Sequence, residues 1–496
     1  MNSSSKRRAR LRLAAAACAL PMAFAGAVLH AQEPAAPPAA APARPVIPPL
    51  SPAQAQQAIA VLHDADLQGL RPDEYLPAGI DPGGALPEGQ QEALAQGLLR
   101  YAKDVRTGRM ELSQFPSNWT LRPDPWDPAP ELARAIAENR LKAWLDSLPP
   151  PYSGYAALKR GLAKYRQIAA NGGWKAIPEG PPLKLGMTDH RVPALRARLA
   201  VEDPQLKASP STTFDAELHG AVQRAQRRFG FEPDGVVGAG TLRMLNQPVG
   251  QRVLQIIANM ERWRWMPRQM PATRVQVNSG AAIVTLFKDD RPVLSMKAVS
   301  GKPGDETPML ASSMHSVVIN PPWNVPTRIA NEELWPKERA NPGYLSRNGF
   351  RVITNDDGSK RLQQRSEQSA LGRFKFDFDN PFAVYLHDTP TKATFDRFAR
   401  QASHGCVRVE KPRELAEALL AGDPQWTPEQ IATTLDGGKT VRARLPQQVP
   451  VYILYWTSFA GSDGQMHFRT DPYDWDRELL RRTGVLATPK VKTEET

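Results

Sequence analysis

The residues best suited to chemistry surround Cys406, which lies in Ser403-His404-Gly405-Cys406-Val407-Arg408-Val409. A second histidine, His387, precedes this segment behind the short apolar run 382–386. A thiol attacks a carbonyl carbon well only as its thiolate, so a nucleophilic cysteine needs a base or a cation beside it. His387 can take the proton and return it to a leaving amine, first as general base and then as general acid. These residue types predict acyl transfer through a cysteine.

Two other interpretations of the same residues compete with this one. The first is a small buried cysteine in a strand, with two unrelated histidines nearby. The second is a zinc site in a metallo-amidase, with His387, Asp388, His404 and Cys406 as ligands. Zinc sites usually show paired cysteines or histidines at tighter spacing, or histidine pairs with an acid. We therefore predict no metal and no organic cofactor.

The spacing of the two histidines and the cysteine carries a family resemblance. His387, the fifteen residues 388–402, and the tetrapeptide Ser403-His404-Gly405-Cys406 together resemble the signature of the bacterial cell-wall L,D-transpeptidases with a YkuD-type catalytic domain. The resemblance implies that Cys406 is the nucleophile and that His387 activates it. A neighbouring group, such as the main chain at Asp388, would orient the imidazole. The Asp388 carboxylate is not expected to complete a triad, because adjacent strand residues point to opposite faces.

The remaining motif residues receive supporting roles from the same resemblance. Ser403 and His404 are expected to position the loop, and the amides of Gly405 and Cys406 to bind the oxyanion. Arg408 either pairs with a substrate carboxylate or braces the loop, and bracing is the favoured role.

The amino terminus has the features of a secretory signal. A basic segment precedes the apolar run 13–29, and small residues offer cleavage after Ala27 or Ala31. We predict a signal peptide at 1–31, with an uncleaved anchor as the lesser alternative. Cys18 would leave with it, and a single remaining cysteine cannot form an intramolecular disulfide. The prediction is therefore a periplasmic protein.

Composition agrees with a secreted, multidomain globular protein. The chain has 496 residues, 23% charged and 41% hydrophobic, with 48 prolines, which favours about three domains. Removal of the five basic residues of the signal from the 63 Lys and Arg leaves 58 against 51 acidic residues, and this net +7 suits an anionic polymer such as the cell wall. A nucleic-acid partner is not expected, since no binding motif is present.

We predict a multidomain α+β fold in consecutive segments. Residues 32–49 are a proline- and alanine-rich linker, 50–182 a helical scaffold, 183–247 a three-helix module, 248–476 a mostly β catalytic domain, and 477–496 a tail formed by a short helix and disorder. The scaffold is expected to contain a helix opened by Ser51-Pro52 and further helices near 90–105, 130–147 and 155–170. Its tryptophans are expected to be core residues rather than sugar-stacking ones.

The module at 183–247 resembles the peptidoglycan-binding module of wall enzymes. The resemblance rests on Ala221-Val222-Gln223, Phe229-Gly230 and Asp234-Gly235-Val236-Val237-Gly238. Its three helices are predicted near 191–199, 215–230 and 241–246. An ordinary three-helix spacer remains the alternative.

From about residue 248 the pattern predicts strands. They are expected at 275–277, 282–287, 293–299, 314–319, 382–386, 407–409 and 449–456. The loop-rich and helical stretch at about 321–381 is expected to cap the cleft, as in the larger periplasmic branch of the family, with Trp323 and Asn324 as substrate-binding candidates. Residues 365–369 depart from that branch, which leaves the shape of the cap open. Tryptophans 263 and 265 are expected to pack.

The resemblance implies a full reaction. Cys406 would attack the carbonyl of the third stem-peptide residue, expel D-alanine, and pass the acyl group to a neighbouring amine, forming a 3→3 cross-link. Two alternatives remain: an L,D-carboxypeptidase or other wall hydrolase using the same thiol, and a non-catalytic wall-binding protein. Peptidoglycan is the expected partner, with peripheral contact to inner-membrane wall-synthesis enzymes. Carbapenems are expected inhibitors.

Overall fold

The computed structural model describes residues 46–81 and 83–486. The predicted signal peptide, most of the linker and the end of the tail lie outside the described residues. The described residues belong to one compact unit. No helix in the described ranges is both long enough and apolar enough to cross a membrane.

The α-helices of the described part follow in chain order. They are α1 Pro52–His63, α2 Gln91–Thr107, α3 Ala129–Ala137, α4 Leu141–Ser147, α5 Ser153–Ala170, α6 Val192–Ala200, α7 Ala216–Phe229, α8 Ala239–Leu245, α9 Val249–Arg264, α10 Thr327–Ile329, α11 Trp335–Ala340, α12 Tyr344–Arg347, α13 Pro412–Leu420, α14 Pro428–Asp436 and α15 Trp475–Arg482. A π-helical segment, Ala330–Leu334, joins α10 to α11.

The strands group into three sheets. They are β1 Arg274–Asn278, β2 Ile283–Lys288, β3 Arg291–Gly301, β4 Leu310–Ile319, β5 Trp323–Asn324, β6 Phe350–Thr354, β7 Lys360–Gln364, β8 Phe374–Phe378, β9 Leu386–His387, β10 Gln401–Ser403, β11 Val407–Val409, β12 Val441–Leu454, β13 Ser458–Ala460 and β14 Met466–Phe468.

The largest sheet closes on itself. Its order is β10-β3-β11-β9-β8-β4-β12-β1-β2, and β2 also pairs with β3, so all its strands except β10 form a barrel. Alternate residues point inward and fill the barrel with Val, Leu, Ile and Phe, among them Val277, Phe376, Leu386 and Val407. Residues between these inward positions therefore face outward.

The scaffold helices begin and end much as expected. Ser51 caps α1 with a reciprocal capping box to Gln54, and Pro52 occupies the first turn. The single helix predicted at 130–147 is wrong: it breaks into α3 and α4. Asn139, at φ 53°, takes a left-handed turn between them, a conformation that asparagine tolerates and that the periodicity does not reveal.

The three helices predicted for the module are α6, α7 and α8. Asp215 caps α7 by accepting a hydrogen bond from the Leu218 amide, and Gly230 ends it in the left-handed conformation. The predicted inward faces, such as Val192, Leu195 and Leu199, are fully buried.

The expectation of strands from residue 248 onward is wrong for the first stretch. Residues 249–264 form the helix α9, which packs against α5. Charged residues on α9 are buried because they are paired: Arg262 contacts Asp476 at 2.5 Å and Arg264 contacts Glu261 at 2.9 Å. Because these arginines are paired, they can lie in the core. The helix therefore lacks the apolar periodicity from which a helix is predicted. Trp263 and Trp265 are core residues as predicted.

Two strand predictions also need correction. Residues 382–385 are not a strand, and β9 contains only Leu386 and His387. The strand predicted at 449–456 begins earlier, since β12 spans Val441–Leu454.

The loop-rich and helical stretch predicted at 321–381 does contain helices, but it also contains a sheet that the sequence did not predict. It contains α10 to α12 and a small sheet in the order β5-β7-β6, packed around its own apolar cluster that includes Ile329, Leu345 and Leu362. The cap ends sooner than predicted, because β8 pairs with β4 and β9 and so belongs to the barrel. We use "cap" below for residues 321–373.

Candidate active site

Strand register brings the predicted residues to one face of the barrel. The parallel strands β9 and β11 pair Leu386 with Val407 and His387 with Arg408. Because Leu386 and Val407 point into the core, His387 and Arg408 point outward. Cys406, one residue before Val407, shares the outward face and is half-buried. The thiol, the imidazole and the guanidinium therefore belong to the same surface.

His387 is held by a main-chain contact. Its Nδ1 lies 2.5 Å from the carbonyl oxygen of Asp388, so Nδ1 carries the proton and Nε2 is the nitrogen able to act as a base. The Leu371 backbone also lies within hydrogen-bonding reach of the ring. The Asp388 carboxylate is engaged elsewhere, accepting from the amides of Arg373 (2.8 Å) and Thr389 (2.7 Å) and from Lys392 Nζ (2.5 Å). Asp388 thus contacts the imidazole through its backbone and not through its side chain.

The resting charges of the two central groups follow from burial. Burial, assisted by the nearby Arg408 cation, lowers the pKa of His387 to about 4. Burial raises the pKa of the Cys406 thiol, against hydrogen bonds from Tyr385 that lower it. Near neutral pH the site therefore holds a neutral imidazole and a neutral thiol, and the proton must move as the thiol attacks.

The turn that carries Cys406 is cross-linked by hydrogen bonds. Gly405 has φ 108°, a backbone conformation that residues with a Cβ atom rarely adopt. Ser403 Oγ donates to the carbonyl of Cys406 (2.5 Å) and accepts from the Gly405 amide (3.2 Å). Thr307 Oγ1 donates to the Gly405 carbonyl at 2.8 Å.

These hydrogen bonds reduce the number of backbone amides that are available to bind an oxyanion. The Gly405 amide was expected to point at the substrate, but in this structure it is already donated to Ser403 Oγ. The Cys406 amide has no partner among the described residues, so it is the one free donor of the predicted pair.

His404 contacts the cap instead of the thiol. Its Nε2 lies 2.6 Å from the Oε1 of Glu333, in the π-helical segment. A second contact joins the cap to the barrel, between Arg328 and Asp305 of the β3–β4 loop. The cap is therefore attached to the catalytic motif itself.

Arg408 has no carboxylate partner among the described residues. Its Nε is buried and makes no hydrogen bond there, and burial lowers its pKa while the Cys406 thiolate form would raise it. The predicted bracing role lacks a side-chain contact to support it. An unpaired guanidinium beside a nucleophile is chemically suited to a carboxylate ligand.

The two cap candidates differ in their surroundings. Trp323 lies close enough to the Tyr385 phenol to lower its pKa by hydrogen bonding, although burial is the larger effect and raises it. Asn324 Oδ1 instead accepts from Arg361 Nη1 (3.0 Å) and Gln363 Nε2 (2.7 Å) within the cap sheet. Trp323 reaches the site, whereas the acceptor atom of Asn324 is already occupied.

Several site residues were not anticipated from the sequence. Tyr385 packs edge-on against His387 with ring centroids 5.6 Å apart, and Lys375 Nζ lies 4.3 Å from the Tyr385 centroid. Tyr385 stands two positions before His387, so strand parity was a usable signal. Glu333 and Thr307 come from segments distant in the sequence, and no sequence pattern indicated that they reach the site.

The four residues considered as zinc ligands do not converge. His404 turns to Glu333, and the Asp388 carboxylate turns to Lys392. Within 46–81 and 83–486 no group of three or more His, Cys, Asp or Glu is arranged to hold a metal ion.

Comparison with known families agrees with this site. Residues 272–430 match the YkuD family, described as "L,D-transpeptidase catalytic domain". Residues 50–162 match a family described as "Scaffold domain", and residues 189–245 one described as "Putative peptidoglycan binding domain".

A curated relative shares part of the chain. A "Putative L,D-transpeptidase" of Haemophilus influenzae is 34% identical over 219 residues, which cover 41% of this chain and 44% of the relative. The match thus spans less than half the length of that protein.

Solved structures show weaker likenesses. An L,D-transpeptidase from Stackebrandtia nassauensis is 13% identical, covers 56% of this chain and 96% of its own, and has a TM-score of 0.23. An L,D-transpeptidase from Mycobacterium smegmatis is 16% identical, covers 37% and 58%, and has a TM-score of 0.18. TM-scores this low carry no argument.

The segment that matches an L,D-transpeptidase catalytic domain contains the candidate site, from His387 to Arg408. Two further segments of the chain match a scaffold domain and a "Putative peptidoglycan binding domain". The resemblance and the α+β fold class drawn from the sequence are confirmed.

Proposed function

We propose that this protein is a periplasmic L,D-transpeptidase that forms 3→3 cross-links in peptidoglycan. The observation that carries the proposal is the register of β9 and β11, which puts Cys406 and His387 on one outward face with His387 Nδ1 fixed to a carbonyl. The Nε2 of the neutral imidazole would then accept the thiol proton.

The reaction proceeds through two acyl transfers. His387 takes the proton as Cys406 Sγ attacks the carbonyl of the third stem residue, and the Cys406 amide stabilises the oxyanion. The C–N bond to D-alanine breaks, the amine leaves with the proton from His387, and a thioester remains. The amine of a neighbouring stem attacks the thioester, His387 accepts its proton, and the thiol is regenerated.

The remaining site residues have roles in binding. We assign the unpaired Arg408 guanidinium to a stem carboxylate, and Trp323 to the cap side of the donor site. Ser403 and Thr307 hold the turn in shape.

The predicted signal peptide and a peptidoglycan-binding domain support secretion and wall attachment, and with them a role in cell shape and in contacts with membrane-bound wall enzymes.

The direct test is incubation of the secreted form with purified tetrapeptide muropeptides, followed by mass spectrometry. Cross-linked dimers lacking one D-alanine are the expected product, and they should be absent with Cys406→Ala. His387→Gln should lower the rate by about 10²–10⁴-fold. Acylation of Cys406 by a carbapenem, seen as a mass increase on the intact protein, is a second readout.

The same experiment decides between the remaining functions. Tripeptides without dimers would identify the hydrolase, because water would then resolve the thioester. No product from the parent protein, together with binding to cell-wall sacculi, would identify a wall-binding protein and contradict the role given to Cys406.

A further inference from the structure

We propose that a cleft between the scaffold and the barrel binds an uncharged saccharide, the glycan part of the wall polymer. The cleft has a volume of about 660 Å³ and lies between the start of α5 and the outer face of β1 and β2. This volume is typical of small-molecule sites. In the barrel order, β3 stands between β2 and β11 on one side, while β12, β4 and β8 stand between β1 and β9 on the other. The cleft is therefore distinct from the thiol site.

Three cross-strand pairs form the floor of this cleft. Val275 and Val277 of β1 point into the barrel core, so the alternate residues of the strand face outward. Register then sets the pairs Arg274 with Phe287, Gln276 with Thr285, and Asn278 with Ile283, and all of these residues line the cleft.

Aromatic rings form the walls. Trp456 stacks on Trp263 with centroids 4.3 Å apart and planes 15° apart, and Tyr152 leans on Trp263 at 5.3 Å. Phe459 lines the cleft as well. Broad aromatic faces beside polar groups suit a sugar ring, which has an apolar C–H face and a rim of hydroxyls.

Both arginines of the cleft donate hydrogen bonds to neighbouring oxygen atoms. Arg274 contacts Asp290 at 2.5 Å and donates to the carbonyl of Pro271. Arg268 donates to the three carbonyls of residues 147–149 at 2.7–2.8 Å. Arg274 is therefore neutralised by a carboxylate, whereas the Nη donors of Arg268 are taken up by neutral carbonyls, which leave its positive charge in place.

Neutral hydrogen-bonding groups remain available. The Gln276 Nε2 contacts only the sulfur of Met270, at 3.7 Å, a weak acceptor. The Gln276 amide oxygen and the Asn278 Nδ2 have no partner in the described part of the chain. Unused amides between aromatic walls are the groups that would bind hydroxyl and acetamido substituents.

The choice of the wall glycan as the saccharide rests on the proposed function. A glycan site apart from Cys406 would raise affinity for stems attached to a polymer over free stem peptides, because the second contact becomes intramolecular.

Titration of the secreted form with a peptide-free N-acetylglucosamine oligosaccharide, followed by calorimetry, tests the site. The parent for all variants is Cys406→Ala, so binding is measured without turnover. Gln276→Ala and Phe459→Ala should each raise Kd about three- to tenfold. Gln425→Ala, an exposed amide elsewhere, is the matched control and should leave Kd unchanged. Equal thermal melts show that the variants are folded.

Two results would overturn the proposal. One is the absence of saturable binding by the parent. The other is an unchanged Kd in both cleft variants, above all if Phe231→Ala in the module abolishes binding. Saccharide binding without any cross-linking by the wild-type enzyme would contradict the proposed function alone, so the two failures are distinguishable.

Discussion

The Arg408 guanidinium affects both members of the catalytic pair. It lowers the pKa of His387, second to burial, and it also lowers the pKa of Cys406. We expect kcat/KM to fall as the pH drops through about 4, because His387 is then protonated and cannot accept the thiol proton.

Arg408→Gln tests this coupling. Without the cation, the acid limb of the pH profile should move to higher pH, because the His387 pKa is no longer held down by that charge. The pKa of the Cys406 thiol should also rise, since the thiol loses the same favourable charge. KM for the tetrapeptide should rise in parallel. An acid limb that stays in place while KM rises would assign Arg408 to substrate binding alone.

The positive φ of Gly405 leads to a prediction about the conformation of its turn. Gly405→Ala puts a Cβ at φ 108°, which costs about 1–3 kcal/mol of strain or moves the turn. We expect loss of acylation along with a lower Tm. Gly464→Ala is the control, at φ 71° in the β13–β14 turn with open space around it, and it should lower stability without changing the acylation rate. Full activity in the Gly405 variant would show that the turn geometry is not required.

The motif could be recognised from the sequence, because residue type and spacing carry the family resemblance, and its histidine and cysteine do lie on one face of the barrel. The catalytic roles of these two residues remain predictions. The hydrogen bond from the Gly405 amide to Ser403 Oγ could not, since it depends on the closure of the turn. Tyr385 could have been found by strand parity, whereas Glu333 is placed by the tertiary fold alone.

At the scale of elements, the cap and the barrel meet at the His404–Glu333 contact. Glu333→Gln weakens this charge-assisted hydrogen bond, which should loosen the cap over the thioester and admit water. We expect tripeptide product to increase about two- to fivefold relative to cross-linked dimer. Mass spectrometry of the products measures that ratio.

Glu332→Gln is the matched control for this experiment. Glu332 is the exposed neighbour that pairs with Arg328 on the same segment, and its substitution should leave the product ratio unchanged. Equal ratios for both variants would contradict a role for the His404 contact in excluding water.

Element prediction succeeded where burial followed apolar periodicity, as in α7, and failed where polar residues were buried. Helix α9 was missed because its arginines are paired in the core. The cap sheet was missed because β5 and β7 are short and rich in polar residues.

At the scale of the whole molecule, a buried polar network ties the barrel, α9 and α15 together. Asp476 contacts Arg262 at 2.5 Å and accepts from Thr457 Oγ1 at 2.5 Å. Asp476→Ala would leave a buried guanidinium without its carboxylate, at a cost of about 3–5 kcal/mol in the free energy of unfolding. Urea denaturation followed by tryptophan fluorescence measures this loss.

Arg477→Ala is the control for Asp476→Ala. Arg477 belongs to an exposed pair with Asp474, at 3.9 Å, so its loss should change the free energy of unfolding by at most about 1 kcal/mol. Similar effects of the two substitutions would show that the buried network does not stabilise the packing of the barrel, α9 and α15. The Arg262–Asp476 contact joins residues 214 positions apart in the chain, beyond the reach of local sequence patterns.

The neutral state of the Cys406 thiol bears on its survival as well as on its reactivity. Thiol–disulfide exchange and peroxide oxidation both proceed through the thiolate. A half-buried thiol whose pKa is raised by burial reacts slowly with both, and in an oxidising compartment it would stay reduced without a partner cysteine. The thiolate of Cys406 would then form only when an acyl donor is bound, so that Cys406 would not form disulfides with other thiols.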